Sequence, residues 1–329
     1  MNFRTEITPE RNPAPILHTE KILTIGSCFA DNIGSKLQKY KFTVLQNPFG
    51  VLYNPVSIKQ SLQLLTGERK FSEDQLFLHL NEWHSFYHHS TFSSENKQRT
   101  AETIKDQILF SGDFLKKADI IIITLGTAFV YRHKMLDMVV SNCHKIPAAE
   151  FERNRLSVNQ IENELSEIIS AVTELNRNTR FIFTVSPIRH WKDGAVENQL
   201  SKSSLLIAVS EIIKKNRNCR YFPSYEIMMD DLRDYRFYEP DMLHPNQSAI
   251  DYIWEKFVSA EISKKAEKPM KDFEKLFLAV KHRPINPDSA NFKKFVADQL
   301  QKIQELGKTY PYVDLSDETN AFKQNKGQQ

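Results

Sequence analysis

The sequence predicts an α/β protein, a parallel β-sheet with helices on both faces. Five short segments are apolar, rich in β-branched or aromatic residues, and end at a turn or polar signal, which is the pattern of strands. Stretches of helical period separate them, and strands that alternate with helices imply parallel pairing through crossover connections. One segment, 119–126 (DIIIITLG), is apolar at successive positions, as a central strand covered on both faces must be.

In chain order the predicted strands are 21–26 (KILTIG), 41–47 (KFTVLQN), 119–126, 180–187 (RFIFTVSP) and 219–227 (CRYFPSYEI). The helical stretches are 27–40, 100–118, 158–178 and 197–216. A further one, 244–266, opens with Pro245 beside a capping position and sets Ile250, Ile253, Trp254 and Phe257 on one face. Two regions exceed what such a sheet needs. Residues 53–100 hold a helical PVSIKQSLQLL and a histidine-rich loop, and residues 267–308 add basic amphipathic helices. From about Thr309 the periodicity is lost, so 309–329 is expected to be a flexible tail.

A chain of 329 residues can bury a full core, and the reading is one large domain with additions. Its 40% hydrophobic and 26% charged residues are ordinary for a soluble protein. No apolar run approaches the roughly 20 residues a membrane span needs. The net charge of +3 is spread along the chain without a basic cluster, so no nucleic-acid partner is expected. Three cysteines without CxxC spacing do not make a disulfide scaffold, and the opening MNFRTEITPERNPAP has no apolar signal region. A cytoplasmic, reducing location is the expectation. The C-terminal helices are expected to pack over the domain or to form a homodimer surface.

Chemistry in an open α/β sheet gathers outside the carboxyl ends of the strands. Small or polar residues collect there: Gly26-Ser27, NPFGV with Gly50, Gly126-Thr127, SPIRHWKDG, and later DMLHPN. A serine hydroxyl needs a general base and a third group to fix the base's tautomer. Asp241 and His244 lie three residues apart, so one helical turn would place both on one side, with His244 towards Ser27. Oxyanion donors are sought in the N–H groups of Ser27 and Gly50 and in Thr127. Cys28 is the rival nucleophile, a thiol at a helix N-terminus; the bland reading is a Ser cap over a buried thiol. His84 and His88 sit at i, i+4, but no carboxylate or cysteine completes a metal site, so no metal or other cofactor is expected and His84 is read as lining substrate or packed. Arg189, His190, Lys192 and Asn198 suit an anionic or polyhydroxyl substrate, or plain solvation.

Six blocks together, GSCFA at 26–30, NPFGVLYNP at 47–55, EWHSF at 82–86, LGTAFVY at 125–131, SPIRHWKDG at 186–194 and DMLHPN at 241–246, resemble the GSCFA family of bacterial proteins. That family is similar to the SGNH, or GDSL-like, hydrolases. The resemblance covers about 16–262, with an insertion around 53–100, and leaves 263–308 as a helical extension. It implies a flavodoxin-like three-layer α/β/α fold with five parallel strands in the order 2-1-3-4-5. It also implies a serine nucleophile at Ser27, oxyanion donors in the second and third blocks, and the Asp241–His244 pair as orienting group and base. Two departures stand out. Gly-Ser-Cys replaces Gly-Asp-Ser, so a one-residue shift puts Cys28 in the nucleophile's column. Gly126-Thr127 replaces Gly-x-Asn-Asp, so Asn47 or Asn198 is asked to stand in for the missing amide. The expected activity is that of an esterase or O-acyltransferase acting on a small-molecule or glycan ester; the competing expectation is a non-catalytic module that binds a glycan or a protein.

Overall fold

The computed structural model describes residues 5–282, 284–287 and 289–324. Its central sheet joins β1 (Lys21–Gly26), β2 (Thr43–Gln46), β5 (Ile120–Leu125), β9 (Arg180–Val185) and β10 (Cys219–Tyr221), all parallel, in the order β10-β9-β5-β1-β2. Period-two alternation sorts their side chains into two layers. The register sets Cys219, Phe181, Ile121, Leu23 and Leu45 in one row across the sheet, facing one core. The next row, through Ile182 and Ile122, faces the opposite core.

Helices α2 (Pro55–Thr66), α4 (Val158–Leu175) and α5 (Gly194–Lys215) cover the first face through Ile58, Leu62, Leu165, Ile168, Leu205 and Val209. Helices α1 (Cys28–Lys39) and α7 (Gln247–Glu261) cover the second with Phe29, Ile33, Leu37, Ile253, Trp254 and Phe257. Each such side chain contributes about 1.5–3 kcal/mol of apolar burial, so both faces of β5 are held strongly.

The region between β2 and β5 holds α2, an antiparallel hairpin of β3 (Leu76–His79) and β4 (Glu82–Ser85), and α3 (Lys97–Leu115). A second, antiparallel sheet was not anticipated. It joins β6 (Phe129–His133), β7 (Met138–Val140) and β8 (Phe151–Arg155) in the order β7-β6-β8, between β5 and α4. The fifth predicted strand is also shorter than 219–227. Pairing stops at Tyr221; Pro223, which has no N–H to donate, leads into a short turn α6 (Ser224–Glu226) and a π-type turn Ile227–Asp231.

The C-terminal helices α8 (Glu267–Lys281), α9 (Ala290–Thr309) and α10 (Ser316–Gln324) close a core of their own around Phe273, Leu276, Val296, Ile303 and Phe322. The flexible tail expected from Thr309 is therefore corrected over 316–324. There Phe322 is 2% exposed, Asp314 Oδ1 accepts from the Ser316 N–H, and Lys41 pairs with Glu318 at 2.6 Å. Residues 325–329 of that expected tail lie outside the described residues. The bundle docks beside α1, where Tyr40 donates to Glu274 and His18 stacks on Phe273. No helix among the described residues is long and apolar enough to cross a membrane.

Candidate functional site

A cavity of about 550 Å³ opens outside the carboxyl ends of the central strands. Ser27 and Cys28 enter it after β1, Val51 and Tyr53 after β2, Thr127 after β5, Ser186 and Ile188 to Lys192 after β9, and His244 ahead of α7. The unanticipated second sheet completes the wall with Phe129, Tyr131 and Arg153.

The corner at its floor is built by backbone geometry. Gly26 has φ +137°, and a Cβ there would lie 2.1 Å from the Thr124 carbonyl oxygen, so only glycine lets the chain leave β1 this close to β5. The Gly26 N–H donates to Asn47 Oδ1 at 2.8 Å, and Asn47 Nδ2 donates to Asp31 at 2.7 Å. Asn47 thus braces the corner, and its amide is not on the cavity wall, where a stand-in for the missing oxyanion amide would have to be.

Ser27 is 1% exposed and caps α1, its Oγ accepting from the Phe29 N–H at 3.3 Å. Cys28, the first helical residue, is half-buried with Sγ 4.0 Å from the Tyr53 hydroxyl. Burial pushes the Cys28 thiol up, and the Tyr53 hydroxyl opposes that only in part. It rests as a thiol and requires a base to become a nucleophile.

The expected oxyanion donors are already engaged. The Ser27 N–H donates to Thr124 O at 3.0 Å, the Gly50 N–H to Asn47 O at 2.8 Å and the Thr127 N–H to Tyr53 O at 2.9 Å. The Thr127 hydroxyl is shared with Ser201 at 3.1 Å and accepts from the Phe129 N–H. One residue further along each of the first two blocks, the Val51 N–H has no acceptor among the described residues and the Cys28 N–H meets only its own thiol, and both residues line the cavity.

Asp241 and His244 do meet, though not on a helical turn. Asp241 Oδ1 accepts the N–H groups of Leu243 and His244 at 2.9 Å, and Oδ2 meets His244 Nδ1 at 2.5 Å. Those bonds, the two backbone N–H groups first, hold the Asp241 carboxyl down at about 2. With a proton on Nδ1, the neutral imidazole has Nε2 as its acceptor. Helix α7 takes its cap from Asn246 instead, which leaves the Asp241 carboxylate to the histidine.

In the loop after β9, Arg189, His190 and Lys192 line the cavity. Asn198 does not; it is 3% exposed and its Oδ1 accepts the His190 N–H at 2.9 Å, so it holds the loop from behind. Burial, then the charge of Lys202, pushes His190 down to about 4, so it is neutral at pH 7. His84 is placed elsewhere: it is buried in the hairpin, bonded to Ser93 Oγ at 2.6 Å and to the His79 carbonyl, and packed on His144. Of the histidine-rich loop, His89 reaches the cavity. Among the described residues no group of three or more His, Cys, Asp or Glu is placed to hold a metal ion.

Lys202 is the site residue that motif reading passes over. It is fully buried under the cavity, and Nζ donates at 2.7 Å to both Gly126 O and Ser186 O, tying together the ends of β5 and β9. Its signal is in the helical period. Asn198, Lys202, Leu205, Val209 and Ile212 follow steps of four and three along α5, which places the lysine on the core stripe.

A parallel α/β sheet with a polar crevice at its carboxyl edge defines the class of protein, one whose site is assembled from the loops that follow the strands. Residues 21–257 match the GSCFA family, and the chain belongs to it. Residues 273–325 match the GSCFA domain protein, C-terminal domain. No curated protein matches the chain.

Proposed function

We propose that the cavity performs acyl transfer on an ester, with water or a sugar hydroxyl as the final acceptor. The reading is carried by one juxtaposition: Cys28, whose thiol and N–H stand at a helix N-terminus, lines the same cavity as His244, whose Nδ1 Asp241 holds. The resemblance to SGNH hydrolases supports it, as does the strand order, which is 2-1-3-4-5 when the parallel strands are counted along the chain.

In this reading His244 Nε2 takes the Cys28 proton as sulfur adds to the ester carbonyl. The carbonyl electrons move onto oxygen, which the N–H groups of Cys28 and Val51 receive. Collapse expels the alcohol, which regains the proton from His244, and leaves a thioester; an incoming hydroxyl then reverses the sequence and frees the thiol. Cys28 is preferred to Ser27 because Ser27 Oγ serves as the helix cap and is almost fully buried.

The test is residue-level mass spectrometry after brief exposure to p-nitrophenyl acetate. An acetyl group on Cys28, released by neutral hydroxylamine as thioesters are and lost in Cys28→Ala, is the expected result. A hydroxylamine-stable adduct on Ser27 that persists in Cys28→Ala would move the nucleophile back to Ser27. The binding-module reading is favoured by the engagement of all three expected donors, at 27, 50 and 127, and predicts neither adduct nor turnover.

A further inference from the structure

The cavity wall carries more positive charge than its own acids neutralise. No Asp or Glu lines it, while Arg153, Arg189 and Lys192 do. Arg153 is answered by Asp193, its Nε donating to Oδ1 at 2.7 Å. Neither Arg189 nor Lys192 has an acidic partner among the described residues. Lys192 Nζ meets Tyr131, the hydroxyl at 2.6 Å and the ring centroid at 4.8 Å, and the buried Arg189 Nε has no hydrogen-bond partner among the described residues. Trp191 stands between them in sequence, 44% exposed, with the Arg189 guanidinium 6.0 Å from its ring. Unpaired cations on a concave, partly desolvated wall focus the field into the cavity and select ligands of opposite sign. A guanidinium with free N–H groups matches the two oxygens of a carboxylate or phosphate, and an ammonium adds a point charge.

We infer that the cavity takes an anionic ligand held by Arg189 and Lys192 and, resting on the acyl-transfer reading, that the ester substrate carries a carboxylate or a phosphate. This assigns Arg189 and Lys192 to substrate selection, separate from the Cys28 and His244 chemistry.

Anion preference can be read without any enzymatic turnover, because Cys28 lies in the cavity. The full chain is alkylated with iodoacetate and, separately, iodoacetamide, and the rates at Cys28 are followed by peptide mass spectrometry. Taking the ratio of the two cancels the thiolate fraction. The iodoacetate-to-iodoacetamide ratio is expected to exceed that of N-acetylcysteinamide by about fivefold or more, and to fall as added salt screens the wall. Arg189→Gln with Lys192→Gln should bring it to the model-thiol value, while Arg189→Lys with Lys192→Arg should keep most of it. A wild-type ratio at or below that of the model thiol overturns the inference, as does one indifferent to salt; neither needs a variant that folds.

The substrate class is then read from kcat/KM for 4-carboxyphenyl acetate and 4-acetoxyphenyl phosphate, each relative to phenyl acetate. A gain for one or both, reduced in the glutamine pair, supports the inference and separates carboxylate from phosphate. Turnover of phenyl acetate with no gain for either anion overturns the substrate class and leaves acyl transfer standing. No turnover of any ester, with the alkylation preference intact, sinks acyl transfer and supports the anion site by itself.

Discussion

Alanine at position 26 is expected to lower the stability of the fold by roughly 2–6 kcal/mol, the sum of backbone strain and overpacking. The φ of +137° is one L side chains rarely adopt, and the new Cβ would sit 2.1 Å from Thr124 O and 2.8 Å from Thr124 C. Retreat is blocked, because β5 is paired on both edges, by β1 and β9, and Thr124 is fully buried. Any shift that relieves the clash also breaks the Ser27 N–H bond to Thr124 O and displaces Cys28 from the corner. Gly67 supplies the control: its φ is +84°, yet nothing lies within 4 Å of its would-be Cβ, so Gly67→Ala should cost only about 1–2 kcal/mol. Urea midpoints at unchanged m-value measure both. A Gly26→Ala cost no larger than that of Gly67→Ala would mean that the corner relaxes and that its tightness is not what positions Cys28.

The central sheet was legible because its three inner strands are apolar on both faces, and continuous apolar runs such as IIIITL leave little choice of layer. The small second sheet was not. Its strands FVYRH and FERNR mix charge with apolar positions and MVV is only three residues long, so pairing partners rather than local pattern decide them. That sheet supplies Phe129, Tyr131 and Arg153, and this part of the cavity wall was invisible for this reason. The C-terminal helix α10 was missed because in nine residues it shows a single buried apolar side chain, Phe322, and its stability comes from the helices around it.

Of the candidate site, the Asp241–His244 pair and the polar loop after β9 were legible in the sequence, whereas Asn47, Asn198 and His84 lie off the cavity wall and the backbone turns left no signal. Asp241 and His244 could be paired from their spacing, yet the turn that joins them depends on Met242 at φ +59° and on two N–H groups that Asp241 itself accepts. Which N–H groups face a reacting oxygen depends on the turns around them. At Asn47 a φ of +36° brings its carbonyl to the Gly50 N–H, so the open donor moves on to Val51. The same one-residue displacement of the open donor, from Ser27 to Cys28, arises because the Ser27 N–H still bonds the Thr124 carbonyl of the neighbouring strand. Motif alignment works at the resolution of blocks, and both displacements are finer than that.

Raising the pH from about 7 towards 10 is expected to stabilise the wild type relative to Lys202→Met by about 1.4 kcal/mol per pH unit. Burial, with the Arg189 guanidinium adding to it, pushes Lys202 down to about 7, far below the range of an exposed lysine. Between those values the unfolded chain holds a proton on Lys202 that the folded chain has released, so folding is favoured as protons become scarce. Below about 7 both states are protonated, the full penalty of burying the cation is present, and the difference between the two proteins should be flat. Hydrogen-bond counting agrees with the direction. A neutral amine has two N–H groups and finds two carbonyls, at Gly126 and Ser186, whereas the ammonium's third N–H has no hydrogen-bond acceptor among the described residues and only the Tyr225 ring, 5.7 Å from Nζ, near it. Orphaning those carbonyls adds an offset to the methionine variant but no slope. Urea unfolding of both proteins at pH 6, 7, 8 and 9 decides it, and parallel curves would show that Lys202 does not titrate in this range. The same proton bears on the cavity: a charged Lys202 beneath Cys28 favours the thiolate and any bound anion. The iodoacetate preference at Cys28 should therefore be larger at pH 6.5 than at pH 8.5, in the direction opposite to the stability of the fold.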